Sequence, residues 1–164
     1  MRTVGIDGGS FLCELGPASD VVVFFRCVEK YVAKSGQEQN FKLLTDRFYR
    51  RYLRREELAS AAVLMERVEQ AFAQVHTNSL DWHDIGLNST LTRLDLSQPT
   101  LAEVFAKFFS SFARCKESAE IFFNSWNIYQ PVKIVMSDQP WFMVEKNRPL
   151  QDYDELEGKP FWLR

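Results

Sequence analysis

The chain has 164 residues, of which 46% are hydrophobic and 14% aromatic. That length and that supply of core-forming side chains predict one folded domain and exclude a disordered or low-complexity chain. The formal net charge of -2 excludes a global positive field that would draw the molecule to nucleic acid or to an anionic membrane.

The N-terminal segment predicts a β-hairpin, because strand-like runs flank the glycines of Asp7-Gly8-Gly9. Gly16-Pro17 then ends the second strand. Ser19 or Asp20 follows as the expected cap of a helix whose apolar positions keep the helical period.

The middle of the chain predicts two helical stretches and a long connection. The first stretch starts at Asn40 and carries Tyr52 on its apolar side, and the second starts at about Arg55. The two stretches form either a helical pair or one bent helix. From His76 to Leu96 the chain is rich in Asn, Asp, Ser and Thr. This predicts a long connection with at most one short strand, and long ordered connections are often functional.

The last third predicts helices followed by strands. Thr100 and Glu103 have the spacing of a capping box, so a helix is expected to start there, with a further helical stretch from Lys116 to Trp126. Segments 131–136 and 141–144 have the pattern of strands. Strands at both ends with helices between them predict a single α+β domain over residues 1–164, with a mainly antiparallel sheet and residues 137–164 as a C-terminal extension of the core.

The cysteines and apolar runs predict a cytoplasmic protein without a membrane span. The chain has an odd number of cysteines, and they lie far apart in the sequence: Cys13, Cys27 and Cys115. This favours free, buried thiols in a reducing compartment. The longest apolar run, Val21 to Phe25, is far shorter than the roughly 20 residues that cross a bilayer. Nor does the N-terminal segment have the apolar core of a signal peptide.

The run Gly5 to Ser10 raises the possibility of a nucleotide site, because glycine-rich turns can hold phosphate on backbone amides while an aspartate such as Asp7 orients a hydrated metal. A chain of 164 residues with no later glycine-rich Asp motif lacks the second lobe that such a site needs. A plain hairpin turn is therefore the preferred interpretation, and a small nucleotide-binding protein is retained as an alternative.

The sequence predicts no enzyme, metal or cofactor. His76, Asp81, His83 and Asp84 match no metal-binding spacing. The chain also has neither a G-x-S-x-G elbow nor a Ser-x-x-Lys motif, so hydrolysis has no identifiable machinery.

Five arginines between residues 47 and 55 form an arginine cluster that alternates with aromatic residues, a pattern that RNA-binding surfaces share. Its members are Arg47, Arg50, Arg51, Arg54 and Arg55. Asp46, Glu56 and Glu57 lie beside them, so intrahelical ion pairs on a solvated face are the preferred interpretation of the cluster. An RNA-binding module is the second alternative, although nucleic acid is not the expected partner.

The segment from Thr3 to Gly16 resembles the opening of immunity family 70 of bacterial polymorphic-toxin systems, whose members begin with a V-G-I-x-x-G-S-F-x-x-E-x-G pattern. The likeness continues in Asn40 to Tyr49, the helix from Glu56 to Val75, the helix from Leu101 and the strand from Val132 to Val135. Trp82 falls where a family tryptophan would, but the segment 76–99 around it aligns poorly, and the C-terminal extension is longer than in the family. The resemblance implies a cytoplasmic antidote that binds the C-terminal domain of a cognate toxin, as in contact-dependent growth inhibition, and blocks its active site or its access to substrate. Many such toxins are nucleases, and the oligomeric state of the antidote is left open.

Because nucleases are commonly basic, we expect acidic residues and aromatic anchors at the contact surface. The candidate contact residues lie in the long connection and the C-terminal extension: Asp81, Trp82, Asp84, Asp152, Tyr153, Asp154, Glu155, Glu157 and Trp162.

Overall fold

The computed structural model describes residues 2–128, 131–137 and 160–163. The described elements are the strands β1 (Thr3–Gly8), β2 (Phe11–Pro17), β3 (Tyr52–Leu53) and β4 (Val132–Met136), and the helices α1 (Ala18–Tyr31), α2 (Leu58–Phe72), α3 (Leu101–Val104) and α4 (Ala106–Trp126). Short 3-10 turns cover Glu38–Phe41, Arg55–Glu57, Thr77–Ser79 and Phe161–Leu163, and Leu43–Phe48 is π-helical. The predicted strand 141–144 lies outside the described residues.

The strands form one four-stranded antiparallel sheet with the order β2-β1-β4-β3. The predicted hairpin supplies β2 and β1, and its tight turn lies at Gly9, which has φ +59°, and Ser10. β4 then pairs with β1, so that Ile6 lies opposite Ile134. The α+β prediction, with the N-terminal hairpin and a C-terminal strand in one antiparallel sheet packed by several helices, is confirmed.

Phenylalanines dominate the core between the sheet and the helices. Phe24 of α1 lies at the centre, with its ring 5.0 to 5.8 Å from five other rings. Those rings belong to Phe25, Phe72, Phe105, Phe108 and Phe109. Edge-to-face and stacked pairs of this kind add to the stabilisation that apolar burial supplies.

The prediction that Tyr52 belongs to a helix is wrong. Tyr52 and Leu53 form β3 and pair with Lys133 and Val132 of β4. The pairing partner lies far along the chain, so local apolar spacing could not reveal it. In the last third, the two predicted helical stretches fuse instead into the continuous helix α4, after the short helix α3.

The capping box at the start of α3 is present as predicted. The Thr100 hydroxyl accepts a hydrogen bond from the Glu103 amide at 3.4 Å, and the Glu103 carboxylate accepts one from the Thr100 amide at 3.0 Å. The predicted cap of α1 is wrong: that helix begins at Ala18 without a side-chain cap, and Asp20 lies buried in its first turn.

Candidate functional site

The connection between α2 and α3 crosses the surface with only a short 3-10 turn of its own, and side chains of α1 anchor it. Arg26 of α1 donates a hydrogen bond to the carbonyl oxygen of Ile85 at 3.0 Å, and the Ile85 side chain is buried. Asp20, also of α1, accepts one from the backbone amide of Arg93 at 2.9 Å. Two contacts far apart in sequence therefore fix this connection in one conformation, as functional loops on rigid scaffolds are held.

Immediately before the Ile85 anchor lies an acidic turn formed by residues 81–84. The Asp81 carboxylate accepts hydrogen bonds from the amides of His83 at 2.9 Å and Asp84 at 3.2 Å, which is the geometry of an Asx turn. Asp81 and Asp84 are exposed, whereas Trp82 is half-buried against the core. The structure therefore brings the three contact residues predicted in this loop together in one exposed turn.

Asp95 is a further exposed carboxylate of the same connection, and the sequence interpretation missed it. Hydrogen bonds from Ser97 and Gln98 lower the pKa of its carboxyl, because they stabilise the charged form. The nearby Arg93 forms an ion pair with Glu14 at 2.7 Å. The exposed carboxylates of this connection therefore give it local negative charge.

The C-terminal contact residues divide into two groups. Residues 152, 153, 154, 155 and 157 lie outside the described residues. Trp162 is fully buried and its indole N–H donates a hydrogen bond to the carbonyl oxygen of Tyr49 at 3.0 Å. Its indole is therefore part of the core, and a partner that leaves this fold intact has no access to it.

The glycine-rich hairpin is packed against the rest of the fold in a way that disfavours a phosphate site. Asp7 is 2% exposed and forms an ion pair with Lys133 at 2.8 Å. The Ser10 amide, which would have to face a phosphate, donates instead to the hydroxyl of Ser118 on α4 at 2.9 Å. A Cβ on Gly8 would lie 2.6 Å from the carbonyl oxygen of Cys115, so the glycine serves the close approach of hairpin and helix.

The arginine cluster also has partners within the fold. Arg47 forms an ion pair with Glu57 at 3.6 Å. The guanidinium of Arg55 lies 3.4 Å from the ring centroid of Phe123, within the range of a cation–π contact. These contacts favour a structural role for the arginines over RNA binding. The ion pairs were expected on a continuous helical face, but β3 replaces part of that face.

The C-terminal end of α4 exposes a second surface, the apolar tip, formed by Ile121, Trp126 and Ile128. Their side chains are 53%, 67% and 41% exposed. A tryptophan this accessible is a common hot spot of protein interfaces. The helical periodicity of α4 alone did not distinguish Trp126 from the buried aromatic residues before it.

Within the residues that the structure describes, no group of three or more His, Cys, Asp or Glu side chains is placed to hold a metal ion. In the same part of the chain, no helix has both the length and the apolar character needed to cross a bilayer.

No protein-family model matches the chain, and neither does any curated protein or solved structure. The likeness to the immunity family therefore depends on the residues quoted from the sequence.

Proposed function

We propose that this protein is an immunity protein that binds and neutralises the C-terminal domain of a cognate bacterial toxin, with a nuclease as the expected toxin class. It acts by binding, without catalysis of its own, in the cytoplasm where such a toxin would reach its substrate. The resemblance of residues 3–16 to the immunity family suggests this class. The observation that carries the proposal is the acidic turn at residues 81–84, held on a fixed connection.

The physical properties of this connection support a recognition role. A loop that the fold already anchors loses less conformational entropy on association than a flexible loop does, which favours affinity. Exposed carboxylates at Asp81 and Asp84 complement a basic nuclease surface, which raises the association rate and excludes acidic partners. Trp82 lies between them as an aromatic side chain that a partner can cover.

In this proposal the glycine-rich segment from Gly5 to Ser10 has a structural role and does not bind a ligand. Because Gly8 and Ser10 contact α4 directly, the hairpin belongs to the scaffold. In this proposal the segment that resembles the immunity family serves the fold, and the acidic turn supplies the contact surface.

The test is binding between the purified chain and the C-terminal domain of a large secreted toxin, whose gene the proposal expects immediately upstream. We expect a stable complex whose association rate falls as salt is added, because complementary charges steer the encounter. Asp84→Lys should slow association about tenfold or more, since it reverses a charge without removing the carboxylate that holds the Asx turn. Glu38→Lys, an equal charge reversal at another exposed position, is the matched control and should bind as the wild type does.

Two results separate the function from the site. If Asp84→Lys binds normally and Trp126→Ala does not, the acidic turn is wrong as the contact surface while the immunity function stands. If the wild-type chain does not bind the toxin domain at all, the proposed function is rejected. A large rise in melting temperature with ATP and magnesium, alongside that absence of binding, would favour the nucleotide alternative instead.

A further inference from the structure

Two cysteines that are far apart in sequence meet where the hairpin packs against α4. The Sγ atoms of Cys13 on β2 and Cys115 on α4 lie 3.7 Å apart, although the residues are 102 positions apart in the chain. Both are free thiols in the structure. Bonded sulfurs are about 2.05 Å apart, so a disulfide requires the two atoms to approach by about 1.7 Å, a shift within reach of side-chain rotation and a small backbone adjustment.

The two thiols have different access to solvent, which gives them different roles. Cys13 is half-buried, so it is the more accessible of the two thiols to a small oxidant. Cys115 is fully buried and its thiol lies 3.2 Å from the carbonyl oxygen of Ile6. Burial, together with the neighbouring Cys13, raises the pKa of the Cys115 thiol, so Cys115 is a poor direct target for a dissolved oxidant.

We propose that Cys13 and Cys115 form an oxidation site at which a hydroperoxide converts the two thiols into an intramolecular disulfide. Cys13 reacts first and Cys115 resolves the product. The closed bond ties the N-terminal hairpin to α4 at a place where the two elements are already in contact.

The reaction balances with hydrogen peroxide as the only oxidant. The Cys13 thiolate attacks one peroxide oxygen, the O–O bond breaks, and Cys13 becomes a sulfenic acid while the other oxygen leaves as hydroxide and is protonated to water. The Cys115 sulfur then attacks the Cys13 sulfur, the S–O bond breaks, and the departing hydroxide leaves as water with the thiol proton of Cys115. Two thiols lose two electrons and two protons in total, and one peroxide gives two waters.

The experiment treats the reduced, full-length chain with one to five equivalents of hydrogen peroxide and counts free thiols under denaturing conditions. The three thiols of the wild type should fall to one, with a mass loss of about 2 Da and a cross-linked peptide that joins Cys13 to Cys115. The oxidised chain should melt about 5 °C or more above the reduced chain, because the bond closes a long loop of the unfolded state.

Three variants make the assignment specific. Cys27→Ser removes the buried thiol of α1 and should still form the disulfide, which makes it the matched control. Cys115→Ala should leave Cys13 as a sulfenic acid that dimedone labels, and Cys13→Ser should form no intramolecular disulfide. The proposal is overturned if the oxidised wild type keeps all its thiols, forms only intermolecular disulfides, or carries Cys13 as a sulfinic acid without the cross-linked peptide.

Discussion

Asp7 and Lys133 occupy paired positions on neighbouring strands, and the side chains of both are 2% exposed. Each charge has left water at a large cost in solvation, and the other charge at 2.8 Å offsets most of it. Loss of either member alone would therefore leave an uncompensated buried charge and destabilise the fold. From the sequence, the position of Asp7 in a glycine-rich turn suggested that it could orient a hydrated metal. Its burial beside Lys133 indicates a structural role instead.

Lys133→Met tests this interpretation, because it leaves the Asp7 carboxylate in a buried site without its cation. We expect the free energy of unfolding to fall by about 3–5 kcal/mol, measured by urea denaturation. Lys116→Met is the control, since the Lys116–Glu120 pair is partly exposed and its loss should cost less than about 1 kcal/mol. Equal losses in the two variants would contradict the account of a buried pair.

Asp20 is the second buried carboxyl of consequence, because it anchors the long connection through the Arg93 amide. Burial raises the pKa of this carboxyl above its ordinary value, and the Arg93 hydrogen bond only partly opposes that effect. The folded state therefore holds the proton more tightly than the unfolded chain does. Ionisation of Asp20 therefore lowers the free energy of unfolding. This loss is absent below the pKa of Asp20 in the unfolded chain, and it grows as the pH rises through the raised pKa of Asp20 in the folded state.

Asp20→Asn removes the titration while it keeps an oxygen that accepts from Arg93. The free energy of unfolding of the wild type, minus that of Asp20→Asn, should decrease as the pH rises from about 3 to 7. Urea denaturation of both proteins across this range measures the difference. A difference that stays constant, or that increases with pH, would show that burial does not govern this carboxyl.

At the scale of elements, the hairpin packs closely against α4. Gly8→Ala would place a Cβ 2.6 Å from the Cys115 carbonyl oxygen, so hairpin and helix must separate. We expect a loss of about 1–3 kcal/mol in the free energy of unfolding, as for other overpacked sites. Gly36→Ala is the control: Gly36 has φ +87° and open space, so alanine there costs only about 1 kcal/mol of backbone strain. A larger loss at Gly36 than at Gly8 would argue against close packing of the hairpin.

Elements with local signals were predictable from the sequence. The hairpin has its glycines, α3 has a capping box, and β4 is rich in β-branched residues, so each follows from a few adjacent side chains. β3 was missed because its two residues become a strand only through pairing with β4. Predicting it would require the long-range contact itself.

For the candidate site, too, only features formed by neighbouring residues could be predicted from the sequence. The acidic turn was predictable because Asp81, Trp82 and Asp84 are adjacent in sequence. The contact of Cys13 with Cys115 was not, since it depends on how the hairpin lies on α4. Trp162 was misinterpreted because an acidic segment precedes it, whereas its indole packs beside Tyr49 in the core.

At the scale of the whole molecule, a rigid scaffold carries one anchored, acidic connection. The phenylalanine core and the antiparallel sheet fix α1, and α1 in turn fixes the connection through Arg26 and Asp20. Loops that carry binding or catalytic residues are commonly held on packed frameworks in this way. This arrangement is consistent with an inhibitor that needs no catalytic group of its own.

The most direct test is protection of bacteria that express the C-terminal domain of the cognate toxin, whose gene is expected immediately upstream. If the protein is an immunity protein that acts by binding, cells that make the toxin domain alone stop growing. Growth then returns as the chain reaches equimolar amounts, and Asp84→Lys shifts the required amount upward. Growth arrest that persists with excess chain present would contradict the immunity function, and full protection by trace amounts of chain would contradict an action by binding alone.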